Sequence, residues 1–178
     1  MSELLRNNKE RVIVLPKGAC FTQRADRIAN VISSEVVVVD ASSVDRSIPY
    51  GENKFKDFKC NAIWDTGATR TVITKKVIAA LGLKEKGVQE VHTAGGTIET
   101  EDYVIDLWLP NQVSVNILPV IRGAISDEYD VLIGMDVIGI GDFCITNFQG
   151  KTTFSFRMPS MESIDFLSSR PTTGSQPG

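Results

Sequence analysis

From Phe58 to Met158 the chain is a succession of short strand-like segments: FKCNAIW, VQEVHT, TIETEDYVIDLWL, VSVNILPVI, YDVLIG, DFCITNF and KTTFSFRM. Gly, Pro and Asn turns separate them. Apolar residues recur at alternate positions or in short unbroken runs, which is the period of strands. A chain punctuated this often has little room for helices, so the pattern predicts a mainly β domain with one or two short ones. The first is KKVIAAL (75–81), which Thr74 can cap and Gly82 can end in the left-handed conformation. A second brief turn is expected over Val137 to Ile140, after GMD.

One of these strands runs into AIWDTGATRTVIT (62–74). An aspartate at the end of an apolar strand is costly unless something hydrogen-bonds it or uses it. Here Gly67 lets the backbone fold sharply, Ala68 keeps the turn small, and the Gly67 amide can donate to the Asp65 carboxylate. The hydroxyl of Thr66 can bond across the turn or to a neighbouring chain. Such a loop holds a carboxylate without a metal or other cofactor.

Composition removes several competing chemistries. The net charge of −3 and pI near 5.2 leave no broad basic surface, so nucleic acid is not an expected partner. His92 is the single histidine, which rules out a histidine pair or a histidine-rich metal cluster. Cys20, Cys60 and Cys144 are odd in number and lack paired spacing, so they are expected to be buried thiols rather than a disulfide framework or zinc site. Charges are scattered through MSELLRNNKERVIVL, which is neither a signal peptide nor a membrane span; a cytoplasmic location is expected, without membrane partners.

With 178 residues, 42% of them hydrophobic, and a mean hydropathy of −0.01, the chain has the profile of one globular domain with a tail. Residues 1–57 read as an N-terminal extension with strands at VIVL (12–15) and VVVV (36–39) and a short helix over ADRIANVIS between them. Residues 58–158 form the main domain. Residues 159–178 are a tail whose last ten residues are expected to be disordered.

The stretch hydrophobic-hydrophobic-Asp-Thr-Gly-Ala resembles the catalytic loop of the retropepsin-like aspartic proteases. Two further features follow in the family's order, the glycine-bearing hairpin HTAGGTI (92–98) and the apolar-Gly element VLIGMD (131–136). The resemblance implies an acid-protease β barrel, an endopeptidase activity on peptide or protein substrates, and a homodimer. It makes Asp65 the catalytic carboxylate, braced by Thr66 and Gly67. Ala68 would face substrate, Ala94, Gly95 and Gly96 would form the flap tip over it, and Ile133 and Gly134 would complete the peptide site from beneath Asp65. The chain departs from viral members, which carry acidic residues soon after the Ala and an arginine after the later Gly. Here Thr69 and Arg70 follow the Ala, and Met135 and Asp136 follow the Gly. Either an Arg70 to Asp136 pair replaces that ion pair, or both side chains are solvated.

Metal-free hydrolysis of a peptide needs one carboxylate to take a proton from water and one carboxylic acid to protonate the carbonyl oxygen. The chain carries no second Asp-Thr/Ser-Gly. A two-fold homodimer would supply the missing half by bringing Asp65 from each copy to its axis. The only echo is VVVVDASSV (36–44), where Asp40 also ends an apolar strand but Ser42 stands in place of the glycine. Two other readings of the same residues stand beside the enzyme: a non-catalytic homodimeric module that binds peptides or assembles, and a structural β domain in which Asp65 merely forms a turn.

Overall fold

The computed structural model describes residues 4–7, 11–14, 19–93 and 96–167. In chain order the strands are β1 (Leu4–Asn7), β2 (Arg11–Val14), β3 (Ala19–Arg24), β4 (Ser33–Asp40), β5 (Asp57–Trp64), β6 (Val72–Ile73), β7 (Gly87–Thr93), β8 (Gly96–Trp108), β9 (Ser114–Arg122), β10 (Val131–Ile133), β11 (Asp142–Thr146) and β12 (Thr153–Met158). Two helices interrupt them, α1 (Lys75–Leu81) and α2 (Met135–Ile138). The fold is mainly β, as the strand periodicity predicts. Among the described residues no helix is long and apolar enough to cross a membrane.

The larger sheet has the order β4-β5-β10-β6-β9-β8-β7, and β4 pairs with β8 as well. Six strands therefore close on themselves, and β7 projects from the edge of β8. Closure accounts for VVVV: β4 has a neighbour on each side, and Val36, Val38 and Val39 are all buried. The long strand β8 divides its partners, with residues 105–108 on β4 and residues 96–102 on β7. Its ladder with β9 shifts register between Ile105 and Leu107. At the shift the buried Asp106 accepts from Arg46 Nη2 at 2.9 Å and from the Ile117 N–H at 2.8 Å. The second bond restrains Ile117 at a φ of 54°, a conformation unfavourable for a β-branched residue.

A second sheet, β11-β12-β3, lies against the first through an aromatic cluster. Trp64 is its hub, with ring centroids 5.0 Å from Phe156, 5.1 Å from Phe154 and 5.8 Å from Phe143. Phe21 from β3 completes it, edge-on to Phe154 at 5.6 Å. Of the N-terminal third, β3 and β4 lie in the same sheets as the main domain, β3 pairing with β12 and β4 with β5 across position 57, whereas β1 and β2 pair with each other in a separate two-stranded sheet.

Local expectations fared unevenly. Helix α1 has the expected bounds, and Gly82 ends it at φ 68° with its N–H on the Ile78 carbonyl. Thr74 occupies the N-cap, but its hydroxyl bonds Asp130 Oδ1 at 3.1 Å instead of the helix. Helix α2 begins two residues before the expected Val137, because the Gly134 carbonyl already accepts from Val137 and Ile138. ADRIANVIS is not helical. Its backbone groups are spent on Thr152: Ala25 N–H donates to the Thr152 carbonyl, Thr152 N–H to the Arg27 carbonyl, and Ala29 N–H to Thr152 Oγ1. Those tertiary bonds replace the helical ladder. The expectation for the last ten residues lies outside the described residues.

Candidate active site

Asp65 stands where β5 leaves the sheet. The parallel ladder aligns Ala62 with Val131 and Trp64 with Ile133, and the Asp65 N–H extends it by donating to the Ile133 carbonyl at 2.9 Å. Trp64, one residue earlier, is fixed by its packing and by a buried bond from Nε1 to Ser34 Oγ at 2.9 Å. The strand end is therefore a rigid mount. The half-buried Asp65 accepts the Gly67 N–H on Oδ1 at 2.8 Å, and the Ala68 N–H returns to the Asp65 carbonyl at 3.3 Å. Gly67 does not adopt a positive φ; its role is space, since a Cβ there would lie 3.1 Å from Asp65 Oδ1. Thr66 is exposed, and among the described residues its hydroxyl has no hydrogen-bond partner and no second carboxylate bonds Asp65.

The segment 133–136 crosses behind this turn. Met135 N–H donates to the Ala68 carbonyl at 2.8 Å, and Gly134 N–H to Thr71 Oγ1 at 3.2 Å. Thr71 in turn donates its N–H and its hydroxyl to the two oxygens of Asp136, at 3.0 and 2.7 Å. Gly134 is required here by close approach, because a Cβ would meet the Arg70 carbonyl carbon and oxygen at 2.6 Å. Ile133 is fully buried, Gly134 is buried, and Ala68 is half-buried on the turn.

Neither alternative for Arg70 and Asp136 holds: the two do not pair with each other, and neither side chain is simply solvated. Asp136 is committed to Thr71. The Arg70 guanidinium reaches Asp102 Oδ1 at 3.7 Å and Gln89 Oε1 at 3.5 Å, both on the hairpin stem. No sequence motif marks the bond between Thr71 and Asp136. The available signal was a hydroxyl opening an apolar run, TVIT, and an acid directly after the crossing glycine.

The hairpin is formed by β7 and β8, with Thr93 opposite Gly96 and His92 opposite Thr97. Gly96 has φ 119°, which a residue with a side chain rarely adopts. The other two expected tip residues, Ala94 and Gly95, lie outside the described residues. Asp40 is remote from Asp65: β4 and β5 are antiparallel, Ser33 faces Ile63 and Val39 faces Asp57, so the two aspartates lie at opposite ends of the pair. The six residue steps from Ser33 to Val39 separate those ends by roughly 20 Å. Asp40 is instead spent on Ser42, accepting its N–H at 2.9 Å and its hydroxyl at 2.8 Å.

All three cysteines are free, but burial was the wrong expectation for Cys20, which is exposed on β3, and Cys144 is only half-buried. The Cys60 thiol is pushed up to about 12 by burial and by the nearby Asp130 carboxylate. Among the described residues no group of three or more histidine, cysteine and acidic side chains is placed to share a metal ion.

An aspartyl protease family model matches residues 52–137, a span that takes in β5, the Asp65 turn, the hairpin and the Gly134 crossing. Among solved structures the chain is similar to the EIAV protease in complex with an inhibitor, at 15% identity over 62% of this chain and 86% of that one, with a TM-score of 0.43. It is also similar to a retropepsin-like aspartic protease from Rickettsia conorii, at 14% identity over 74% of this chain and 98% of that one, with a TM-score of 0.42. No curated protein matches the chain.

Proposed function

We infer, from the match of residues 52–137 to an aspartyl protease family model, that the chain is an aspartic endopeptidase whose working site is assembled from the Asp65 carboxylates of two copies. The observation that carries the reading is the state of Asp65: a half-buried carboxylate on a rigid strand end, held on one oxygen by Gly67 N–H. No second acid bonds it among the described residues of its own chain. The exposed Thr66 hydroxyl, without a partner in the same set, suits a contact with the other copy.

In the paired site the two carboxylates share one proton, since like charges about 3 Å apart cannot both ionise. The ionised one takes a proton from water as the water oxygen attacks the peptide carbonyl carbon, while the protonated one gives its proton to the carbonyl oxygen. Collapse of the tetrahedral diol returns a proton to a carboxylate, breaks the C–N bond and delivers a proton to the leaving amine. Oxygen, nitrogen and proton counts balance without a metal or a covalent intermediate. Gly67 and Thr66 brace the acids and Ala68 faces the peptide. The tip at Ala94, Gly95 and Gly96 covers it, and Ile133 and Gly134 support the turn from behind.

The test is cleavage of a peptide library by purified protein across several pH values, with Asp65→Asn as the control. The amide is nearly isosteric, so folding is retained and cleavage is abolished. Activity close to wild type in Asp65→Asn, or no cleavage by the wild type, would sink the reading; the second result would favour a peptide-binding module.

A further inference from the structure

Arg70 occupies the short segment between the Asp65 turn and β6. Its backbone is pinned from behind, because Gly134 packs on its carbonyl group with no room for a methyl between them. Its side chain runs the other way, to the hairpin stem. One guanidinium nitrogen lies 3.5 Å from Gln89 Oε1 on β7, and the other lies 3.7 Å from Asp102 Oδ1 on β8. Gln89 Nε2 closes the triangle by donating to that same Asp102 oxygen. The three side chains therefore join the turn that presents Asp65 to both strands of the hairpin. Arg70 Nε is buried without a hydrogen-bond partner, so one donor of this cation is desolvated and unspent. Long, partly exposed contacts around an under-used guanidinium form a joint that can be made and broken at small cost.

We propose that Arg70 is a positioning residue that latches the β7–β8 hairpin to the Asp65 turn, setting the height of the hairpin over a bound peptide. The proposal rests on the peptide-cleaving reading for its consequence but not for its geometry. Tipward of Asp102 the stem is also held where Thr100 and Glu101 bond Arg122, whereas Val88 and Ile98 are 58% and 49% exposed and neither is buried against the rest of the molecule. A cation reaching from the turn to Asp102 then decides how far the hairpin stands off.

The experiment is amide hydrogen exchange on the intact chain, comparing wild type, Arg70→Gln, Asp102→Asn and the swapped pair Arg70→Asp with Asp102→Arg. Losing the latch should raise exchange about two- to fivefold at 88–92 and 97–101 while β5 and β12 stay unchanged, and the swapped pair should restore part of the protection. With a cleavable peptide, Arg70→Gln should raise KM and leave kcat within about twofold. Unchanged exchange in Arg70→Gln overturns the latch, and so does a loosening spread evenly over both sheets. Because exchange needs no catalysis, a chain that cleaves nothing but loosens only in the hairpin would refute the protease reading and leave the latch standing.

Discussion

Thr71 gives both of its donors to one carboxylate: its N–H to Asp136 Oδ2 at 3.0 Å and its hydroxyl to Asp136 Oδ1 at 2.7 Å. The same hydroxyl oxygen accepts the Gly134 N–H, so one buried side chain ties the segment after the Asp65 turn to the segment crossing behind it.

Thr71→Val keeps the shape and removes the hydroxyl. The Gly134 N–H loses its acceptor and Asp136 loses one of two donors from Thr71, so the variant should lose about 1–3 kcal/mol of stability. Denaturant unfolding measures it. Peptide cleavage should fall further than the loss of folded protein explains, because the mount of Asp65 loosens. A variant as stable as wild type would mean that the bond contributes nothing.

Gly134→Ala places a methyl 2.6 Å from the Arg70 backbone, a contact that no side-chain rotation can relieve. The crossing or the turn must move. Overpacking of this kind costs about 1–3 kcal/mol, and the displaced partner is the segment that carries Asp65. Cleavage should drop by at least tenfold while circular dichroism still reports the β fold. Gly87→Ala is the matched control, since a Cβ there meets nothing within 4 Å and should leave both readouts near wild type.

Asp40 lies at the far end of the β4–β5 pair from Asp65, so it cannot serve as the second acid of the site. On the proposed paired site, activity should therefore fall more steeply than in proportion to concentration once the protein is diluted below the dissociation constant of the pair. Inactive Asp65→Asn chains mixed with wild type should poison the site by forming heterodimers. Strict proportionality together with a monomeric mass would show that one chain suffices.

Asp142 fastens the segment after β12. It accepts from Ser160 Oγ at 2.5 Å, from Met161 N–H at 2.9 Å and from Arg157 Nη2 at 2.5 Å. The Ser160 bond first, then the Met161 amide and Arg157, hold its carboxyl down at about 2 against an ordinary 3.8. A depressed carboxyl adds stability that is fully present above its unfolded value and is lost as pH falls through its folded one. The attachment of residues 160–162 should therefore be intact at pH 5 and weaken between about pH 4 and pH 2, as limited proteolysis or hydrogen exchange would register. Asp142→Asn should show the same loosening at neutral pH.

The residue order by itself determined the β class, the bounds of α1 with its left-handed Gly82, the end of β5 at Trp64, and the turn on which Asp65 stands. Each of these depends on interactions within a few residues: side-chain alternation, a positive φ, a carboxylate reaching an amide two positions on. What the sequence left open depended on partners distant in the chain. ADRIANVIS has apolar spacing compatible with a helix, yet Thr152, more than a hundred residues later, claims its backbone groups. VVVV looked like part of an extension and proved to be a wall of the closed sheet, because β8 arrives on its free side. Arg70 and Asp136 have opposite charges and suggested a pair. Only the folded chain turns Asp136 toward Thr71 and Arg70 toward the hairpin, since each side chain takes the nearest donor or acceptor that the crossing of 133–136 behind the turn leaves within its reach.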